Sequence, residues 1–388
     1  MHIKRIELCN FRNHQHLVLD EVGNVLIIIG DNAAGKTNII EALQLLSMHE
    51  SFRQPKNEEL ILKNQEKEIT SLSIDINTLQ SVNTKQLIID QGTRTFLYNK
   101  KEKPAKDLLD EVPSVLFTPD DLYLIKGPPE QRRSLLDSLG SRLSKSFSQI
   151  RNEYYKSLRQ KNSLLKQEEV NLELLDSWNI NLAKLGTSLT KHRFGLFEQL
   201  LEITTKIYKG ISGGEVLTGA YIAYGENSDD AQEEKGEIKE ALKNTQVKEL
   251  KKELYEIITK KREAEIKARR SLVGSQKDDI HFYINNQDTR RYASQGQQRS
   301  VALALKMAEI EILKRVKAKE PLLLLDDVMS ELDETRRNFF VELIGEESQV
   351  VLTTTNLSYF NKEFLSRATV VELEKSTTHH LKTEENKR

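Results

Sequence analysis

The chain has 388 residues, with 58 Lys and Arg against 59 Asp and Glu and a formal charge of −1 at pH 7. A globally basic polyanion binder is excluded, and contact with nucleic acid requires a local basic surface. The single cysteine, Cys9, excludes a disulfide framework and a multi-cysteine metal site, and the apolar runs are short enough for core strands, so we expect a cytoplasmic protein of two or three domains with no membrane contact.

From the amino end, Ile3-Lys4-Arg5-Ile6-Glu7-Leu8 alternates apolar and polar residues, which predicts a half-buried strand, and Leu17 to Leu19 predicts its hairpin partner. Val25 to Ile29 is an apolar, β-branched run that reads as a buried strand, and Ile39 to Leu46 carries helical apolar spacing. Between them, Gly30-Asp31-Asn32-Ala33-Ala34-Gly35-Lys36-Thr37 meets G-x-x-x-x-G-K-[ST] at every required position. In this order of strand, loop and helix the glycines let amides turn toward phosphates, the lysine reaches the outer phosphates and the threonine hydroxyl serves Mg²⁺. Gly30 to Asn38 are therefore the expected ATP site. The bland reading, a glycine-rich turn, ignores both flanking elements.

Strand-like stretches at Ile69 to Ile76, Gln86 to Asp90 and Arg94 to Tyr98 predict a small antiparallel lobe beside the nucleotide. From Gln131 to Ile207, apolar residues such as Leu135, Leu139, Leu143 and Phe147, then Leu172, Leu175, Trp178 and Leu182, recur at helical spacing and predict a packed helical lobe. Gly210-Ile211-Ser212-Gly213-Gly214 interrupts it, and the helices are too few for a long coiled coil. Residues 226–270 open with Glu226, Asp229, Asp230, Glu233 and Glu234 and close with Lys260, Lys261, Arg262, Lys267, Arg269 and Arg270. A loop and then a charged helix are expected there, with Leu250, Leu254, Ile257 and Ile258 as its apolar face. Its basic end is either DNA-facing or an ordinary solvated flank. Lys4 and Arg5, Arg132 and Arg133, and Arg151 with Lys156 and Arg159 are the other basic candidates for DNA contact.

Ser294-Gln295-Gly296-Gln297-Gln298-Arg299-Ser300 precedes a strong helical pattern from Val301 to Ile310. Ser294 suits a cap, Gly296 allows close approach, and the positive end of the helix favours an anion. Taken alone it is a capped surface helix. Because Lys36 already marks one phosphate-facing helix start, the second gains a role when another copy of the chain supplies the nucleotide. The inference is a two-fold dimer, each ATP lying between one copy's Lys36 loop and the other's Ser294, Gln295, Gly296 and Gln297. Leu322 to Leu325 predicts a buried strand delivering Asp326 to Mg²⁺ and Asp327 to the attacking water, and Asp333 is expected at the dimer interface. Thr353-Thr354-Thr355-Asn356 ends a further strand, with a satisfied strand end as its plain reading. Lys36, Asp326 and Asp327 serve one catalytic site only if both ends of the chain form one head. The expected fold is α/β: a phosphate-loop head with a mixed sheet, formed by residues 1–125 and 273–388, and an inserted, mainly helical lobe over 126–272.

These segments resemble the Walker A, signature, Walker B and D-loop segments of ABC-type ATPases of the SMC class. Ile3 to Arg12, Phe117-Thr118-Pro119-Asp120-Asp121-Leu122, Lys126 to Arg133 with Leu136-Asp137, and Gly274 to Ile280 extend the likeness to the RecF family over nearly the whole chain. The resemblance implies a weak, DNA-dependent ATPase of recombinational repair: an ATP-dependent homodimer on gapped or junction DNA, with single-stranded and duplex parts. It also implies work with RecR, and through it RecO, in loading RecA, at the nucleoid. Two departures stand out. Gly274-Ser275-Gln276-Lys277-Asp278-Asp279 lacks the family's usual proline and histidine, which is expected to alter backbone geometry or a DNA contact, and Phe117 to Leu122 has no Mg²⁺-sensing glutamine. The alternative is the soluble ATPase subunit of an ABC transporter; a metabolic kinase leaves the Ser294 loop unexplained.

Overall fold

The computed structural model describes residues 2–63, 69–78, 81–109, 111–224, 247–344 and 348–374. The acidic opening at Glu226 to Glu234 lies outside the described residues. Contacts divide the chain into two compact units, one of residues 1–121 with 313–388 and one of 122–312.

The first unit is built on two sheets. Strands β1 (His2–Phe11), β2 (His14–Leu19), β4 (Thr70–Asn77), β5 (Val82–Asp90), β6 (Thr93–Tyr98) and β7 (Lys101–Glu102) form an antiparallel sheet in the order β2-β1-β4-β5-β6-β7. Alternation of buried and half-buried residues in β4 matches a sheet with one face in the core. Strands β3 (Val25–Gly30), β8 (Ser114–Phe117), β12 (Leu322–Asp326), β13 (Val350–Thr354) and β14 (Ala368–Leu373) form an all-parallel sheet in the order β14-β3-β13-β12-β8. β12 and β13 are buried at every position, as expected of a parallel strand covered on both faces. One apolar core runs from the inner face of the antiparallel sheet, through Ile39, Leu43 and Leu46 of the helix Lys36–Met48, to Leu324 and Val351 of the parallel sheet. The predicted lobe is thus a full six-stranded sheet that recruits the amino-terminal hairpin.

The second unit holds the helices Pro129–Leu143, Lys145–Leu165, Leu172–Ser212, Val247–Lys260 and Arg262–Ala268. The long third helix ends where the glycines predict, with Gly213 at φ 70° as its cap. Leu250, Leu254 and Ile258 are buried, so the expected apolar face of the charged helix is present. Strands β9 (Leu217–Ile222), β10 (Asp279–Ile284) and β11 (Gln287–Asp288) form a small sheet.

The division differs from the expected one at its second boundary. Residues 273–312 cluster with the helices because β10 pairs along its length with β9, from Asp279 against Ile222 to Ile284 against Leu217. Such pairing with a strand distant in sequence is invisible to local patterning. The helix Gln295–Lys317 crosses the boundary. Among the described residues no helix is long and apolar enough to cross a membrane.

Candidate nucleotide-binding site

Parallel pairing brings the carboxyl ends of β3, β13 and β12 side by side, with Ile29 opposite Thr354 and Thr353 opposite Asp326. That edge of an open α/β sheet is where ligands bind. The loop after β3 is shaped by two glycines. A side chain on Gly30 would come within 2.6 Å of the Leu373 carbonyl. Gly35 takes φ 100°, and a Cβ there would meet the Asn13 amide at 2.5 Å and His14 Cε1 at 2.8 Å. Lys36 is 7% exposed and its Nζ donates to the Gly30 and Asp31 carbonyls at 2.6 and 3.0 Å, so its charge sits over the loop. Asp31, Asn32 and Ala33 are exposed at the loop tip, whereas Ala34 is buried.

The turn between β1 and β2 holds the loop from behind, and sequence reasoning missed it. Asn13 Nδ2 donates to the Ala34 carbonyl at 3.2 Å, Asn38 Nδ2 donates to Asn13 Oδ1 at 2.7 Å, and fully buried His14 places Nε2 3.2 Å from the Gly35 carbonyl. Beside it, buried Glu41 receives Arg12 Nη2 and Nε at 2.7 and 2.9 Å and the Ser51 hydroxyl at 2.5 Å. Polar residues at a hairpin tip are common, so no local signal separates these from ordinary turn residues.

Asp326 Oδ1 accepts the Thr37 hydroxyl at 2.9 Å and the Thr353 hydroxyl at 2.8 Å. Thr353 Oγ1 in turn accepts the Asp327 amide at 3.0 Å. A carboxylate and a hydroxyl, both hard oxygen donors, thus meet beside the phosphate loop, the donor chemistry that suits Mg²⁺. Asp327 adopts the left-handed backbone at φ 50°, and among the described residues its Oδ1 is buried without a hydrogen-bond partner. Burial pushes its carboxyl up, and Asp326 and Glu331 add to this, while Lys36 and the Ser330 hydroxyl oppose it. The result is a strained, underused carboxylate next to a metal-type donor pair. Thr355 is exposed, and Asn356 Oδ1 accepts the Ser358 amide at 2.9 Å in the turn after β13, as the plain reading of a satisfied strand end has it.

Ser294 and Gln297 in the second unit form a reciprocal cap: Ser294 Oγ accepts the Gln297 amide at 3.2 Å, and Gln297 Oε1 accepts the Ser294 amide at 2.9 Å. The serine keeps its hydroxyl proton for another acceptor, and Ser294 and Gln295 are exposed while Gly296 is half-buried. Gln297 Nε2 also donates to Glu215 Oε1 at 2.7 Å, and Glu215 Oε2 accepts the Tyr208 hydroxyl at 2.5 Å. This ties the signature-like loop to the end of the long helix Leu172–Ser212. Asp333, with its side chain half exposed, caps its own helix by accepting the Arg336 amide at 2.9 Å.

The basic candidates separate into two groups. Arg132 is corrected: it is 1% exposed, its Nε and Nη2 donate to Asp279 at 2.8 and 3.1 Å, and Nη1 donates to the Gly127 carbonyl at 2.7 Å. Its guanidinium is an internal brace and cannot face DNA. Arg133 is half-buried and donates to the Asp278 carbonyl at 2.7 Å, Arg151 pairs with Asp137 at 3.1 Å, and Arg262 pairs with Asp176. Lys260, Lys261, Arg269 and Arg270 remain exposed. The departures at Ser275 and Gln276 are also internal. Ser275 Oγ donates to the Gly186 carbonyl at 2.9 Å and lies 2.9 Å from Thr190 Oγ1; Gln276 accepts the Tyr154 hydroxyl and donates to the Val273 carbonyl at 2.8 Å. Lys277 alone in that segment is exposed.

The family model for the RecF/RecN/SMC N terminal domain matches residues 2–379. The DNA replication and repair protein RecF of Crocosphaera subtropica is 33% identical over 389 residues, covering 96% of this chain and 98% of that relative. A solved structure of the recombination mediator protein RecF-ATP in the RecFOR pathway is 29% identical with a TM-score of 0.82, covering 98% of this chain and 97% of that one. The SmcHead bound to the C-winged helix domain of ScpA, at 16% identity and a TM-score of 0.52 over 96% of this chain and 94% of that one, shares the fold. Matches of this extent set aside the transporter reading.

Proposed function

The chain belongs to the RecF family, and on that premise we propose that it is an ATP-dependent DNA-binding protein of recombinational repair whose weak ATPase times a homodimer on gapped or junction DNA. The observation that carries this reading is the meeting of Thr37, Asp326 and Thr353 beside the Lys36 loop, with the buried Asp327 Oδ1 left without a partner among the described residues. Lys36 and the amides of Gly35 and Lys36 hold the outer phosphates of ATP, and Thr37 with Asp326 holds Mg²⁺. Bound Mg²⁺ supplies charge neutralisation for phosphoryl transfer. Thr353 fixes the Asp326 carboxylate and, through the Asp327 amide, the strained backbone that aims the second carboxylate. Asp327 orients the attacking water and its raised proton affinity suits it to take up a proton.

Ser294, Gln295, Gly296 and Gln297 of one copy complete the phosphate shell of the other, Ser294 donating the hydroxyl proton that its cap leaves free. Asp333 lies at the same interface. Hydrolysis removes the group that both copies grip and loosens the dimer. The exposed Lys260, Lys261, Arg269 and Arg270 supply phosphate contacts with no base reading, which suits a protein acting wherever damage falls. Its partners on this reading are RecR, and through it RecO and RecA, at the nucleoid in the cytoplasm.

The test is binding to a gapped duplex, with and without ATP, while oligomeric state is followed in the same sample. ATP is expected to raise both dimer fraction and DNA retention, and Ser294→Arg is expected to abolish both while leaving nucleotide binding to the Lys36 loop. ATP-driven dimerisation that survives Ser294→Arg unchanged would overturn the shared site.

A further inference from the structure

The solvent-facing side of the amino-terminal hairpin carries three metal-type donors of different chemistry. Glu7 and Cys9 lie two residues apart on β1 and so share a face, and His16 of β2 is the direct cross-strand partner of Cys9. A carboxylate oxygen of Glu7, the Cys9 thiol sulfur and a ring nitrogen of His16 all lie within 4.8 Å of one another. His16 Nε2 is already 3.2 Å from Glu7 Oε1. Bond lengths of about 2.0–2.3 Å in a tetrahedral zinc centre place ligand atoms roughly 3.4–3.7 Å apart, so small side-chain rotations close the remaining gap.

We propose that Glu7, Cys9 and His16 form a binding site for a zinc-like divalent cation, separate from the nucleotide site, with one coordination position left to water. The reasons are positional and chemical. Both strands are held in the antiparallel ladder, so the three Cβ atoms are fixed before any ion arrives. A thiolate, an imidazole and a carboxylate together favour zinc or cobalt over Mg²⁺ or Ca²⁺, which prefer oxygen alone. The second Glu7 oxygen accepts Arg5 Nη2 at 3.3 Å, and Arg5 donates to Asp20 at 2.8 Å, so the carboxylate is oriented from behind and the arginine charge is shared with a second acid. His16 is 59% exposed in its side chain and Glu7 33%, which gives an ion a path in. The ion takes the place of the Cys9 thiol proton, which is released to solvent. The site lies two residue pairs from the turn whose Asn13 and His14 brace the phosphate loop, and a bound ion would staple that hairpin.

Cys9 is the chain's one cysteine, so a sulfur-to-cobalt charge-transfer band reports a single atom. Titrating Co²⁺ into the metal-free full chain is expected to raise that band to saturation at one equivalent, and Zn²⁺ is expected to erase it. Cys9→Ser removes the band; His16→Gln and Glu7→Gln each weaken Co²⁺ binding at least tenfold, with an unchanged circular dichroism spectrum. His16 is exposed enough that its replacement leaves the fold intact. Absence of the band in the unaltered chain overturns the proposal. So does a band whose affinity is the same in His16→Gln and Glu7→Gln, which would describe a thiol acting alone.

Discussion

The sheet edge at Lys36 and Asp326 and the buried network around Arg193 use the same charged residue types in opposite ways. Around Lys36 and Asp326, polar groups converge on a sheet edge and leave capacity unspent: among the described residues the Asp327 Oδ1 has no partner. In the helical unit charges are buried to hold the chain together. Arg193, fully buried, grips Asp137 at 2.7 and 2.8 Å and Asp278 at 3.1 Å, while Asp278 also accepts Tyr221 and Thr190 hydroxyls at 2.7 and 2.8 Å. Burial lowers the hold of Arg193 on its proton, but the Asp137 contacts outweigh it and raise the arginine well above its ordinary value. Burial also raises the Asp279 carboxyl, yet hydrogen bonds from His281 and Arg132 win and hold it well below the usual range. Charge composition therefore distinguishes neither place; what differs is that Asp327 at the sheet edge keeps an unpartnered oxygen among the described residues, whereas the Arg193 guanidinium spends its nitrogens on Asp137, Asp278 and their neighbours.

The sharpest break of this contrast is Arg193→Ala. Removing one partner from a buried ionic network costs about 3–5 kcal/mol, so urea denaturation should show a large loss of stability. An unfolding midpoint that stays put would remove the distinction between the network and the sheet edge. Next is Asp327→Asn, expected to slow ATP hydrolysis by roughly 10²-fold or more with ATP affinity within a few-fold, measured by single-turnover kinetics and nucleotide titration. Ordinary turnover would return Asp327 to a structural role.

The antiparallel sheet offers an intermediate case. Lys85 is 0% exposed and donates to the Leu108 carbonyl at 2.7 Å, and burial, partly offset by Glu111, pushes it down to about 7. Its proton is held more weakly in the fold than in the unfolded chain, so stability rises with pH between about 7 and 10.5 and is lost as pH falls toward 7. The slope is at most about 1.4 kcal/mol per pH unit. Lys85→Met should flatten it in denaturation curves taken across that range. A smaller effect is expected from Glu215→Gln, which removes the carboxylate shared by Gln297 and Tyr208. Loss of about 1 kcal/mol should weaken ATP-driven dimerisation roughly fivefold, read by light scattering. Smallest is charge reversal at Lys260, Lys261, Arg269 and Arg270: the salt dependence of DNA binding should fall by about one unit of slope per lost contact. An unchanged slope would make that end of the helix a solvated flank.

Local chemistry was enough for the parts that obey local rules. The turn at Gly35, the lysine after it, the buried strand before Asp326 and the apolar face of Leu250, Leu254 and Ile258 each follow from sterics and periodicity within a few residues, and the phosphate-loop fold class follows from them. The amino acid sequence did not disclose that Arg132 faces inward onto Asp279, that Thr353 bridges Asp326 and the Asp327 amide, that Asn13 and His14 brace the loop, or that β10 belongs with the helices. Each of these depends on a partner from a distant part of the chain, and an arginine or threonine carries the same side chain whether it meets solvent or a buried carboxylate. Burial and strand register decide that outcome, and they exist only once the chain has folded.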